Sequence, residues 1–216
     1  MGTIFAIPEG ARLRVLTVSG KVRVTGEDRI DIDIEPAERN IETLEDGHIL
    51  ETRSRSKDLH LHVPTWLNVS VGTISGDVNL EGQVGSVKIN TVSGKVTIDR
   101  ANGDADIRSI SGSISVDECG GRCRANSKTG KIDLGHVAGA IKAHTMSGNI
   151  GLGTAGADEV DVKTISGTVE VLVDEGRAPR LRFRTITGRT RCDCAQGSDF
   201  EIKASTISGS VEVRER

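Results

Sequence analysis

Cys119 and Cys123 lie four residues apart and Cys192 and Cys194 two apart, a set of four thiols that would build a tetrahedral zinc site if the fold brought the pairs together. His60 and His62 alternate along one segment with Asp58 in phase, so a strand there would put metal-ligating side chains on one face. Asp99 and Asp117 are 18 residues apart with Asp133 nearby, and stacked carboxylates are the equipment of a calcium site or of glycoside cleavage. Around the histidines, including His136 and His144, no nucleophile, base and orienting acid falls into a workable spacing. Which of these groups can meet depends on the elements that carry them.

Those elements repeat. A tetrapeptide ending in Ser-Gly or Thr-Gly recurs nine times, with its glycine at Gly20, Gly76, Gly94, Gly112, Gly130, Gly148, Gly167, Gly188 and Gly209, and from Gly76 onward the intervals are 18, 18, 18, 18, 19, 21 and 21 residues. The second and fourth residues after each glycine form apolar columns, such as Val78, Val96, Ile114 and Leu80, Ile98, Val116, with polar residues between them. This is the alternation of a half-buried strand. A second strand follows in each unit, as in Val87 and Ile89 or Ile141 and Ala143. A unit this thin cannot bury a core alone, so the pattern predicts an all-β fold, a right-handed parallel β-solenoid whose 18 to 21-residue coils stack in register over residues 67–216, about eight coils. Gly76, Gly94, Gly112, Gly130, Gly148, Gly167, Gly188 and Gly209 become structural corners, needing positive φ or close backbone approach. Residues 1–66 carry the motif once and otherwise alternate less regularly, as at Ile30, Ile32, Ile34 and Leu59, Leu61, Val63; they are expected to form a β-rich cap continuous with the rod.

Stacking decides among the candidate chemistries. Four coils would separate the two cysteine pairs, roughly 19 Å at the strand spacing, so four-thiolate zinc is excluded. Cys123 and Cys192 fall in columns held elsewhere by Val, Leu and Ile and read as small core residues, with a local redox pair as the alternative. Asp104 beside Arg122, and the column Lys88, Asp106, Arg124 and Lys142, read as cross-strand charge pairing. No metal or cofactor is called. The hydroxyl rows are a further candidate: Thr73, Thr91, Ser109, Thr145 and Thr164 stand three residues before the glycines, and Ser75, Ser93, Ser111, Ser147 and Ser166 immediately before them. If the apolar residue between the rows points inward, two hydroxyl ladders face outward on one flat side, the arrangement of ice-binding solenoids. The alternative is that they satisfy the corner backbone.

Composition limits the partners. The net charge of -3 gives no basic excess for nucleic acid, and with only Phe5, Trp66, Phe183 and Phe200 aromatic there is almost no platform for bases or sugars. No signal peptide, transmembrane run or myristoylation site is read in the opening MGTIFAIPEGARLRV, which points to a cytoplasmic chain without direct membrane insertion, or to envelope association through a partner.

The TISGDV, TVSGKV and TISGSV units, preceded by LHLHVPTWLNVSVGTISG, resemble the bacterial β-strand-repeat family of "putative adhesins" that includes LiaG-like proteins, over residues 58–216. The resemblance implies a β-solenoid associated with the cell envelope and brings no catalytic residues. The 18-residue coil is also similar in architecture to that of bactofilins, which polymerise end to end. The expected function is a non-catalytic scaffold or adhesin-like assembly protein that binds itself, end to end or laterally, or another protein. An uncapped C-terminal coil would supply the assembly edge at Ile207, Val211 and Val213. The alternatives are a carbohydrate-active β-helix enzyme using Asp99 and Asp117, and an ice-binding protein using the hydroxyl rows.

Overall fold

The computed structural model describes residues 3–8, 10–35, 42–46 and 49–216. The polar turns expected after Ile34 fall partly on residues 36–41 and 47–48, outside the described residues. The chain begins with β1 (Thr3–Ala6), a first coil of β2 (Arg12–Thr17) and β3 (Val22–Glu27), then β4 (Asp31–Glu35), β5 (Glu42–Asp46) and a second coil of β6 (Ile49–Ser54) and β7 (Leu59–Pro64). Every later coil is again a pair: β8 (Asn68–Thr73) and β9 (Val78–Val84), β10 (Val87–Ser93) and β11 (Val96–Ala101), β12 (Ala105–Ser111) and β13 (Ile114–Cys119), β14 (Cys123–Thr129) and β15 (Ile132–Val137). The remaining coils are β16 (Ile141–Ser147) and β17 (Ile150–Thr154), β18 (Glu159–Ser166) and β19 (Val169–Val173), β20 (Arg180–Thr187) and β21 (Thr190–Asp193), and β22 (Glu201–Ser208) and β23 (Val211–Glu215).

The strands assemble into a twelve-stranded and an eleven-stranded sheet, and each coil contributes one strand to each. Coil-to-coil pairing is parallel and in register, as in Val96 between Val78 and Ile114, and Ile89 between Val71 and Ile107. The repeat is thus a parallel β-solenoid. Its interior is filled by the two apolar columns of the twelve-stranded sheet and by the inward residues of the other, which are buried in every coil except β20–β21. Burying each aliphatic side chain contributes about 2 kcal/mol, and β-branched residues suit a pleated surface covered on one side.

The order of strands in space departs from the order in sequence at both ends. The coil β2–β3 sits between β6–β7 and β8–β9, and the coil β22–β23 sits between β18–β19 and β20–β21. Residues 12–27 and 49–64 are therefore solenoid coils, and antiparallel β1, β4 and β5 edge the solenoid beyond β6–β7. Ile30, read with the inward residues, is 84% exposed just outside β4. The expected edge at Ile207, Val211 and Val213 is corrected by the same observation. Val211 and Val213 are wholly buried because β21 pairs with β23 on its outer side. The outermost coil is β20–β21, whose outward side chains include Arg180, Arg182, Arg184, Arg189 and Arg191. Where the inner column needs Val or Ile, this coil has the exposed Thr190 and half-exposed Cys192.

The corner glycines record the same order. A Cβ on Gly148 would come 2.1 Å from the Gly130 carbonyl oxygen, on Gly209 2.0 Å from that of Gly167, and on Gly188 1.8 Å from that of Gly209. Close stacking of backbone on backbone is the common requirement. Gly94, Gly130, Gly148, Gly167 and Gly209 also have positive φ, whereas Gly76, Gly112 and Gly188 do not.

Candidate functional site

Parity along the strand decides which residues meet solvent. In β10, Val87 and Ile89 are buried, so Thr91 two residues on is buried as well, and Val92 faces out. Thr73, Ser109, Thr145, Thr164 and Thr206 follow the same rule. The expectation of an outward hydroxyl row at Thr73, Thr91, Ser109, Thr145 and Thr164 is thus reversed: that row lies in the interior and the residue between the hydroxyls is outside. Three of the buried hydroxyls serve the corner, Thr91 Oγ1 donating to the Ser93 carbonyl at 3.2 Å, Thr145 Oγ1 to the Ser147 carbonyl at 3.4 Å and Thr164 Oγ1 to the Ser166 carbonyl at 3.3 Å. Those of Thr73, Ser109 and Thr206 are buried without a hydrogen-bond partner among the described residues. Ser75, Ser93, Ser111, Ser147 and Ser166 stand exposed or half-exposed at the corner, where Ser93 Oγ donates to the Ile74 carbonyl at 3.3 Å.

What faces out is aliphatic. In spatial order the row runs Val18, Ile74, Val92, Ile110, Lys128, Met146, Ile165, Ile207 and Ile186, and its apolar members are between 42% exposed at Val92 and 73% at Ile186. Eight half-exposed side chains in line present on the order of several hundred Å² of apolar surface, the scale at which a patch marks an interaction site. Because adjacent strands are about 4.8 Å apart, the row is straight and roughly 38 Å long. It runs beside the corner where the chain turns from one sheet to the other. A shallow furrow of about 530 Å³ runs beside its outer end, between Met146, Ile165 and Ile207 and the polar line of His144, Lys163 and Arg184.

Charge is sorted between the faces. On the outer face of the eleven-stranded sheet, the two rows beside the aliphatic one carry Arg14, Arg53, Lys88, Arg108, Arg124, Lys142, Lys163, Lys203, Arg182 and Arg184, against the carboxylates Glu51, Asp106 and Asp161. Across the corner the row is flanked by Lys21, Lys95, Lys131 and Arg189, with Asp58 and Asp77 among them and neutral residues on the other coils. The opposite sheet presents Glu81, Asp99, Asp117, Asp133, Glu170 and Glu212, interspersed with Arg23, Arg100, Arg191 and Arg214, which pair with carboxylates of that sheet. A chain of net charge -3 therefore has one strongly basic side. Where carboxylates do intrude they are paired: Asp161 binds Lys163 at 3.0 Å, and Lys203 bridges Glu201 and Glu159 at 2.9 and 3.1 Å. The hydrogen bond from Lys203 holds the Glu201 carboxyl below its ordinary range, and that to Glu201 raises Lys203. Among the described residues Lys88, Arg124, Lys142 and Arg184 have no carboxylate within 4.0 Å. His144 lies 3.8 Å from Asp161, yet burial depresses its pKa.

The family profile described as Toastrack DUF4097 matches residues 2–182, most of the chain. The chain belongs to that family. The match ends inside β20, so the tucked coil β22–β23 lies beyond it. No curated protein matches. Among solved structures, a "putative adhesin" from Parabacteroides merdae has a TM-score of 0.58 at 12% identity, covering 99% of this chain and 95% of that one. A "putative adhesin" from Bacteroides fragilis has a TM-score of 0.49 at 14% identity, covering 99% and 96%. The first of these shares the Toastrack fold, in keeping with the resemblance carried by the TISGDV, TVSGKV and TISGSV units.

The other candidate groups of this Toastrack chain are held by neighbours. Cys119 and Cys123 face each other in the core, and their mutual hydrogen bond lowers Cys119 and raises Cys123. Cys192 and Cys194 have their sulfurs 3.1 Å apart at the outer coil, where burial first, then Cys192, pushes the Cys194 thiol up to about 12. The inserted coil puts five strand spacings between β13 and β21, about 24 Å, one more than expected. His60 contacts Thr25 at 3.1 Å, His62 contacts Glu27 at 2.7 Å, and Asp58 accepts from the Lys21 amide at 2.7 Å. Burial lowers the His60 pKa, with His62 adding to it. Asp99 and Asp117 do stack, but Asp99 Oδ2 accepts the Gly82 amide at 3.0 Å. Among the described residues no group of three or more His, Cys, Asp or Glu could hold a metal ion, and no helix is long and apolar enough to cross a membrane.

Proposed function

We propose that this chain is a non-catalytic, adhesin-like binding scaffold that engages its partner with the lateral basic face and its aliphatic row, not with an end of the solenoid. The observation that carries this reading is the alignment of eight exposed aliphatic side chains from Val18 to Ile186. Isolated apolar residues on a surface need no explanation, but two aligned runs of four, on either side of Lys128, do. The ends fit assembly less well: one is edged by antiparallel strands and the other bristles with arginine, which discourages strand addition. The scaffold reading is also supported by the carboxylates. Asp99 and Asp117 lie on an open strand surface, and one of them is already bound to backbone.

The test is retention by the immobilised chain of components from separated soluble and envelope fractions, compared with an Ile110→Asp, Ile165→Asp, Ile207→Asp variant. Retention of a defined component by the native chain and its loss in the variant is the expected result. Equal retention by both, or none by either, rejects the lateral face.

A further inference from the structure

The aliphatic row and its flanking cations have a geometry that narrows the partner, on the assumption that the lateral face is the binding face. We propose that this edge docks peripherally on an anionic lipid surface, the aliphatic side chains reaching the boundary between headgroups and acyl chains and the cations meeting lipid phosphates.

Three observations favour a lipid surface over a folded protein. The row takes one residue from each of nine coils stacked in register, so an extended, deformable partner can touch all of it while a small rigid globular one would reach only part. Its apolar members recur at one position per coil on either side of Lys128, which offers a repeated contact with only the shallow furrow beside Met146, Ile165 and Ile207 to interrupt it, unlike the deep central pockets that anchor protein interfaces. Cations lie on both sides of it, Lys88 and Lys142 on the sheet together with Arg108 and Lys163, which also pair with Asp106 and Asp161, and across the corner Lys95 and Lys131, the latter paired with Asp133 and the former one coil from Asp77. That pattern matches an interfacial element with charge at headgroup level on either side of an apolar wedge. The acidic sheet then points away from the membrane, which orients the solenoid. Neither apolar contact nor charge alone gives firm attachment to a bilayer; two weak signals together do.

The whole chain would be sedimented with vesicles of phosphatidylcholine alone and of phosphatidylcholine mixed with phosphatidylglycerol, at low and high salt. The native chain is expected to sediment with the anionic vesicles only, and to be released by salt as screening shortens the reach of its charges. Lys88→Glu with Lys142→Glu, and separately Ile165→Ser with Ile207→Ser, are expected to weaken binding on the order of tenfold. All four positions are solvent-facing, and unchanged circular dichroism and melting would certify the fold of both variants. Failure of the native chain to bind, equal binding to neutral vesicles, or full binding by either variant overturns the proposal. If vesicles are ignored while the row-dependent retention of a protein component persists, the lipid assignment falls and the lateral-face reading stands; if both are absent, both fall.

Discussion

Val211 pairs with Val169 on one side and with Thr190 on the other, so a strand near the end of the chain is an interior strand of its sheet. Val211→Lys would bury an ammonium with no carboxylate to meet it. The expected cost is about 4 kcal/mol or more, or failure to fold, whereas Thr190→Lys, exposed one coil further out, should cost under about 1 kcal/mol. Urea unfolding of the two variants compares them directly; similar losses would contradict the inserted coil.

The glycine column makes a graded expectation. Gly148→Ala places a methyl group 2.1 Å from the Gly130 carbonyl oxygen at a φ of 149°, and should destabilise by about 3 kcal/mol. Gly176→Ala has a φ of 79° but nothing within 4 Å, and only the conformational cost of about 1 kcal/mol applies. Melting temperatures measured side by side should show that ranking.

Acid should weaken the fold through His60 and His144. Burial lowers both below the ordinary 6.5, so above that value both folded and unfolded chains carry them neutral and they contribute no pH dependence. As pH falls through 6.5 the unfolded chain takes up these protons first, and stability declines until the depressed folded values are passed. Comparing stability against pH for the native chain and His144→Gln should give a shallower acid slope in the variant over that window; an identical slope would remove His144 as a contributor.

The arginines of β20 should keep the outer coil from pairing with another copy. Arg182→Ile with Arg184→Val leaves a long apolar edge strand, for which light scattering should report concentration-dependent growth that the native chain lacks. Growth in the native chain at the same concentrations would return attention to end-to-end assembly.

The stacking of coils was legible because the Ser-Gly corner keeps register from Gly76 to Gly209, and backbone packing against the glycine beneath it tolerates no other residue. The orientation of the hydroxyl rows was misread although the signal was present. Val87 and Ile89 already set an inward parity, and carrying it on reaches Thr91, not Val92. Hydrophobicity suggested the opposite assignment, and an unbroken strand cannot change face without a bulge. The spatial order at the ends was not legible, since inserting β22–β23 inside β20–β21 uses the same columns and the same corner as stacking outside it. A hint lay in Thr190 and Cys192, weaker core residues than Val211 and Val213 in the coil that follows. The basic face likewise needed the fold, because its charges are spread through the chain at coil intervals and balance out in the total.

The inserted coils bear on how the molecule would respond to force. A stack whose last strand lies at its edge can be peeled, one hydrogen bond breaking after another. Here β23 is bonded to β19 and β21 together, so tension applied at that end loads two ladders in parallel and must shear both before the strand comes free, whereas at the other end β1 can peel from β4 before the load reaches β2, which β6 and β8 hold on both sides.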